Sequence, residues 1–266
     1  MSATFAVHKP KNRVSWEGRP TRLWIGGNRI RLQSGGAVDS AVDLDAQAER
    51  EESLTQVCEA VRGMLASHPK VRVAVNLACR WSRILVLPWI AQLTREERWR
   101  NYARTRFEQV FGQAGDEWDL RIGRDAPGCD RIAVAWPERL RSAIASHGNV
   151  RTVRVDLLER LGVLLRHEPR FTGCLLELES DGAGFLLMLQ GNVRRARWCR
   201  FDDADGLIGA VQSEWAIVGH EAGAQPNSRP ALALTPPAPV TGSERAQIVA
   251  ALAGNLGFRR AFCLPE

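Results

Sequence analysis

The sequence carries none of the familiar signatures of catalysis. It has no HExxH, no GxSxG, no Walker loop and no HxE…PCxxC pattern. Zinc peptidases, hydrolases built on a nucleophile elbow, P-loop nucleotidases and zinc deaminases are therefore excluded by their usual marks. The 6 cysteines, Cys58, Cys79, Cys129, Cys174, Cys199 and Cys263, form no CxxC pair. Most sit inside apolar segments, which reads as reduced core cysteine in a cytoplasmic protein, while the even count leaves disulfides open. No run approaches about 18 apolar residues and the N-terminus has no apolar h-region, so neither a membrane span nor a signal peptide is expected. Any membrane role would pass through a partner. The 5 histidines, His8, His68, His147, His167 and His220, are scattered. Only His167, with Glu168 and Cys174 close behind it, suggests a metal or thiol site. Repeats and low-complexity tracts are absent too.

What is present is an ordinary globular composition, 45% apolar and 25% charged, in a chain of 266 residues. That length buries a core in one or two domains. A formal net charge of +6 and a pI near 9.4 favour an acidic partner: nucleic acid, anionic lipid or an acidic protein face. Arginine greatly outnumbers lysine.

The stretch VRVAVNLACRWSRILVLPWIAQLTREERWRNYARTRFEQVF, residues 71–111, organises the rest. Val71, Val73 and Val75 alternate with Arg72, Ala74 and Asn76 at the period of a strand. Ile84–Leu87 is an unbroken apolar run, the mark of a deeply buried strand, and Pro88 closes it. Thr94 with Glu97 three residues on has the form of a capping box. Trp99, Tyr102, Ala103, Phe107, Val110 and Phe111 then give a helix one apolar face. The unit is a sheet in need of a cover, followed by a helix able to supply it.

Before it, residues 1–21 read as a flexible basic leader. RLWIGGNRIRLQ reads as two strands around Gly26-Gly27-Asn28, whose glycines would supply positive φ in a tight turn. Residues 34–45 read as a loop. A helix over 45–67 buries Leu54, Val57, Cys58, Val61 and Leu65 and ends at His68-Pro69. After the central unit come strands WDLRI and RIAVAW, a helix from Pro137 with Gly148 as its C-cap, a strand over 150–155, and a helix over 156–167 capped by Asp156. This alternation is an α/β pattern. CLLELES, GFLLMLQ and VRRARWCRF form an antiparallel meander with turns at Asp181-Gly182 and Gly191-Asn192. A helix from Asp202 to about Val218, a strand Ala231–Leu234 and a last helix Ser243–Leu256 follow, with Phe262 fastening the tail.

The order from Val71 to Phe201 resembles the actin-like domains of bacterial type IV pilus assembly (the PilM type) and of type II secretion (the cytoplasmic part of GspL). Three passages carry the resemblance. VRVAVNLACRWSRILVLPWIAQLTREE is similar to that family's strand, turn, strand, Leu-Pro and helix. RIAVAWPERLRSAIASHGNVRTVRVDLLERLGVLLRH is similar to its helix, second strand and helix. GCLLELESDGAGFLLMLQGNVRRARWCRF is similar to the hairpin that opens its second lobe. The resemblance implies an α/β, actin-like (ribonuclease H-like) fold with mixed sheets, a first lobe over 22–167 and a reduced second lobe over 168–266.

The departures from that family point away from its nucleotide chemistry. ATP-binding members have an Asp-x-Gly-like turn near the N-terminus and another opening the second lobe. Here Gly26-Gly27-Asn28 has no acid, and Glu177-Leu178-Glu179-Ser180 stands at the second place, with Asp181-Gly182 slightly late. The late Gly-Gly loop beside adenine is missing. Phosphate and magnesium need convergent amides and a fixed carboxylate. The resemblance thus implies a degenerate member without a cofactor, a non-catalytic cytoplasmic scaffold held at the inner membrane by a partner. In that family the partner is a bitopic inner-membrane assembly protein, and another face can meet the assembly ATPase. An ATP-binding pilus-assembly protein and an arginine-rich nucleic-acid-binding protein are the alternatives.

No motif fixes a docking face, but residue types suggest one. Arg95, Arg98, Arg100, Arg104 and Arg106 stripe the long helix, and Arg194, Arg195, Arg197 and Arg200 line one strand with Trp198. Such stripes suit a nucleic-acid backbone, an acidic tail or plain solvent. Trp81 and Trp89 flank an apolar strand at turns and are expected to be exposed anchors. With Arg98 and Arg104 they are the candidate partner-binding residues. Glu177 and Glu179 share a strand face and read as solvent-facing, although such a pair can hold a cation or raise each other's pKa.

Overall fold

A computed structural model describes residues 21–34, 37–45, 50–112, 117–123, 127–179, 182–200, 204–221, 231–235 and 260–264. The expected leader before residue 21, the helix expected at Ser243–Leu256, and Asp181 lie outside them. The chain opens with an antiparallel meander of β1 (Thr21–Ile25), β2 (Arg29–Ser34) and β3 (Ala37–Asp43). Helix α1 (Arg50–Ala66) returns it to β4 (Val73–Leu77), which lies parallel to β1. An excursion follows: a 3-10 helix at Cys79–Trp81, β5 (Arg83–Leu87), α2 (Glu96–Phe111), β6 (Trp118–Ile122), β7 (Arg131–Pro137) and α3 (Glu138–Ala145). Then β8 (Val150–Val155) joins β4 in parallel, and α4 (Asp156–His167) leads into the second half. That half repeats the plan. A meander of β9 (Gly173–Leu178), β10 (Gly182–Leu189) and β11 (Asn192–Arg200) is followed by α5 (Ala204–Glu221), and β12 (Ala231–Thr235) and β13 (Arg260–Cys263) run parallel to β9.

The two five-stranded sheets therefore share one topology, β3-β2-β1-β4-β8 and β11-β10-β9-β12-β13, with antiparallel and parallel neighbours in the same places. The excursion forms its own small antiparallel sheet, β5-β7-β6. Alternation explains the first sheet: Leu23, Ile25, Ile30, Leu32, Val73, Val75 and Leu77 are all buried on strands whose intervening residues are more exposed. The core they form includes the α1 stripe Leu54, Val57, Val61 and Leu65. It continues through Leu157, Leu161 and Leu164 of α4 to Leu175, Leu186 and Met188 of the second sheet. The other face of that sheet, with Cys174, Leu176, Phe185 and Leu187, packs with Leu207, Ile208 and Val211 of α5. Because β9 and β10 are covered on both faces, their sequences are nearly continuous apolar runs. In the excursion, Trp99, Ala103 and Phe107 of α2 cover Ala133 and Ala135 of β7, as the sequence pattern requires.

Several local expectations are corrected. Residues 37–43 form an edge strand, not a loop; β3 exposes Val38 and Val42 and is ordered by its ladder to β2 instead of by burial. Helix α2 starts at Glu96, with Arg95 at the N-cap and no side-chain cap, so Thr94 stands outside it. Asp156 is the first residue of α4 and not its cap. Helix α3 ends before Ser146, which adopts a right-handed conformation, so Gly148 caps nothing. The β10–β11 turn uses Gln190 (φ 51°) and Gly191 (φ 81°), the pair of positive angles that a two-residue hairpin of right-handed twist demands. Ile84–Leu87 is covered from two sides: Ile84 and Val86 meet the main core, and Leu85 and Leu87 meet the α2 cluster. At the edge of its sheet, however, β5 leaves Leu85 and Val86 only half-buried.

Leu161 is buried in the helix that joins the two sheets. Leu161→Ala is expected to lower the unfolding free energy by about 2–5 kcal/mol. Urea denaturation followed by circular dichroism would read this as a lower midpoint with an unchanged slope.

Candidate functional site

The parallel strands β1, β4 and β8 end at one edge of the first sheet, the place where open α/β sheets put their ligands. Four pieces gather there: the turn Gly26–Asn28 after β1, the 3-10 helix Cys79–Trp81 after β4, Asp156 after β8, and Glu177 with Glu179 at the end of β9. The turn is closed by its own chain. The Gly26 amide donates to the Arg29 carbonyl at 2.9 Å, and the Trp81 indole N–H donates to the Gly26 carbonyl at 2.7 Å. Gly26 is not in the left-handed region; a Cβ on it would fall 2.1 Å from the Trp24 ring. Glycine is needed there to admit an indole.

The 3-10 helix is wedged between the two halves of the molecule. Its Arg80 amide donates to Glu179 Oε1 at 2.9 Å. Cys79, 3% exposed, lies against Gly184 of β10, where a Cβ would come within 2.4 Å of the Cys79 Sγ. Gly184 pairs with Glu177 across the β9–β10 ladder, and its missing side chain leaves the space that the cysteine fills. Glu177 is only 4% exposed. Burial, then the charges of Asp156 and Glu179, push its carboxyl well above the ordinary value of 4.5, against the opposing pull of the Cys79 thiol and Arg160. The thiol is itself pushed well up, first by burial and then by the two glutamates. Asp156 accepts a hydrogen bond from Asn76 Nδ2 at 3.2 Å. Its pKa is raised by burial, against the opposing pull of Arg160 and Asn76. Among the described residues no three His, Cys, Asp or Glu side chains converge as a metal-binding group.

Two expectations fail here for one reason. Glu177 is not solvent-facing and Trp81, 4% exposed, is not a surface anchor. Strand and turn pattern points both outward, but β9 is covered on both faces and the Trp81 turn is an internal wedge. The other candidate docking residues are on the excursion. Arg98 and Arg104 are exposed on α2. Arg104 borders a depression of about 240 Å³ with Arg100, Asp119, Glu138 and Arg141. Trp89 is half-buried, with its ring 5.7 Å from that of Trp99 and the Arg131 guanidinium 5.7 Å from it and 4.4 Å from Trp99. His167 is exposed at the end of α4, whereas Cys174 is fully buried in the α5 core, its thiol pushed up by burial. They form no site. Sequence reasoning missed Cys79, Asp156 and Gly184. The one available signal was a glycine in a strand interior, which marks a close approach.

No family model matches this sequence, and no curated protein matches it. Solved structures do. A Bacteroides thetaiotaomicron protein of unknown function with an actin-like ATPase fold aligns over 91% of this chain and 90% of its own, at a TM-score of 0.60 and 10% identity. A chain of the PilM–PilN type IV pilus biogenesis complex aligns over 91% of this chain and 87% of its own, at 0.58 and 12%. The fold is actin-like. The cytoplasmic domain of EpsL, an inner-membrane component of the Vibrio cholerae type II secretion system, aligns over 83% of each chain at 0.49 and 11%. At such identities the likeness speaks for the actin-like fold alone, and function has to be argued from this chain's residues.

Glu177 sets a pH dependence with a definite sign. A carboxyl whose folded pKa is raised keeps a proton that the unfolded chain has lost. Its contribution is complete below the ordinary value of 4.5 and is lost as pH rises toward the folded pKa. Glu177→Gln is expected to remove that loss, so unfolding free energy measured by urea at pH ~5 and pH ~8 should differ less in the variant than in the native chain. Equal pH slopes would refute the buried, protonated carboxyl. Gly184→Ala should destabilise by about 1–3 kcal/mol through overpacking, and adding Cys79→Gly, which removes both the Cβ and the Sγ that would lie 2.4 Å from the new methyl, should restore part of the loss in the same assay.

Proposed function

We propose that this chain is a non-catalytic scaffold that docks on inner-membrane components of a machine of the type IV pilus or type II secretion kind. The observation that carries the reading is the inside of the cleft. Where an actin-like nucleotide binder would aim amides at phosphate, the Gly26 amide and carbonyl are both held by the chain itself. Cys79 and Trp81 take up the room, and the carboxyl nearest the cleft is buried and biased toward its neutral form. The likeness to a chain from a pilus biogenesis complex supplies the kind of machine.

The proposed scaffold is cytoplasmic, reaches the membrane through a bitopic partner, and can present a second face to an assembly ATPase. No helix among the described residues is long and apolar enough to cross a membrane. The proposed docking residues are Trp89, Arg98 and Arg104, with the first lobe ending near residue 167 and a reduced second lobe following. Trp89→Ala is expected to release the partner while the thermal unfolding profile stays cooperative, since truncating an interfacial anchor commonly costs ~2 kcal/mol or more of binding. Affinity purification of the native and variant chains from membranes, with identification of co-purifying assembly components, checks this. Calorimetric titration with magnesium and ATP tests the nucleotide-binding reading; heat of binding would replace the scaffold with an ATP-dependent assembly protein.

A further inference from the structure

A recess opens where β5, the C-terminal end of α2 and the outer edge of β11 meet, with Cys79 of the cleft wedge in its lining. It encloses about 460 Å³. Five arginines line it, Arg83, Arg106, Arg194, Arg195 and Arg197, against one carboxylate, Glu214 of α5. Glu214 pairs with Arg197, and Arg194 pairs with Asp130 at 3.1 Å. The concentration of arginines has a structural cause. In the β10–β11 ladder Leu187 faces Arg195 and Met188 faces Val193, so Arg194 is the extra residue of a β-bulge. The recess takes every residue of β11 from Arg194 to Trp198, so residues of both strand faces reach it, Arg194 and Arg195 among them.

The lining also has an apolar part. Val110 is 49% exposed at the end of the α2 stripe, beside Phe111 and Ile84. The bordering strands β5 and β11 are each the last in their sheets and lie against one another, so the recess runs along the seam between two sheet edges. A nucleic acid strand would need exposed aromatic faces to stack on. Trp198 and Phe111 are half-buried against the cores, and the exposed apolar residue is aliphatic.

We propose that this recess holds an extended acidic segment of a partner protein, with carboxylates on the arginines and an aliphatic side chain against Val110 and Phe111. The identity of the partner rests on the scaffold reading; the chemistry of the segment rests on the recess alone. The probe is a fluorescein-labelled decapeptide of alternating Glu and Leu, compared by anisotropy with its Lys–Leu counterpart and with labelled oligothymidine. The Glu–Leu peptide is expected to bind and the Lys–Leu peptide not. Arg106→Glu and Arg195→Glu should each weaken binding about tenfold or more, and Arg62→Glu, an equal charge change at an exposed position of α1 outside the recess, should leave it unchanged. No binding of the Glu–Leu peptide up to ~1 mM, equal weakening by Arg62→Glu, or tighter binding of oligothymidine would overturn the proposal. Membrane pull-downs with the Arg106→Glu/Arg195→Glu chain separate the two claims. Assembly components retained at the native level would defeat the recess and spare the scaffold. Groove-dependent peptide binding with no assembly component recovered by the native chain would do the reverse.

Discussion

The molecule turns on one contact, the 3-10 helix Cys79–Trp81 pressed between its two halves. Each residue of that single turn holds a different part. Trp81 ties the β1–β2 turn through the Gly26 carbonyl, Arg80 reaches Glu179 through its amide, and Cys79 fills the space that Gly184 leaves open. The packing has a chemical consequence. It encloses a carboxyl that costs several kcal/mol to bury charged, and burial with two neighbouring acids raises the Glu177 pKa, so that the neutral form is favoured. A cleft stabilised this way is shaped around its own side chains.

The excursion between β4 and β8 gives the molecule its outer surfaces. Its small sheet has one face covered by α2, and the helix in turn exposes arginines and the end of its apolar stripe. Because β5 stands at the edge of that sheet and β11 at the edge of another, the excursion and the second half meet along two unextended strands. The cleft and this basic recess draw on the same segment, residues 79–86: its start closes the cleft and its continuation forms a wall of the recess. A partner in the recess would press on the strand that follows directly from the cleft wedge.

The two halves show how far fold and function separate. Their sheets share strand order and direction, yet the first half carries the excursion and the second carries a bulged arginine strand. An actin-like fold is a scaffold on which different chemistries are placed, and here the residues at the strand ends are acids, a thiol and an indole.

Some of this was legible without a structure. Alternating Val73, Val75 and Leu77, the helix stripe from Leu54 to Leu65 and the apolar runs of β9 and β10 each specify an element, because burial of one face or two leaves a local period in the chain. The order of those elements was enough to suggest the actin-like fold. Weakly buried elements such as β3 were not legible, since ladder hydrogen bonds leave no pattern in side chains. The sequence by itself determined the well-buried strands and helices, the basic balance of the chain, and the absence of known catalytic motifs. Only the tertiary structure decided that Glu177 and Trp81 are inside, that Cys79 meets Gly184 some hundred residues away, and that arginines from β5, α2 and β11 share one recess. Those contacts join residues distant in the chain, and a local period records that a face is buried without recording what it is buried against.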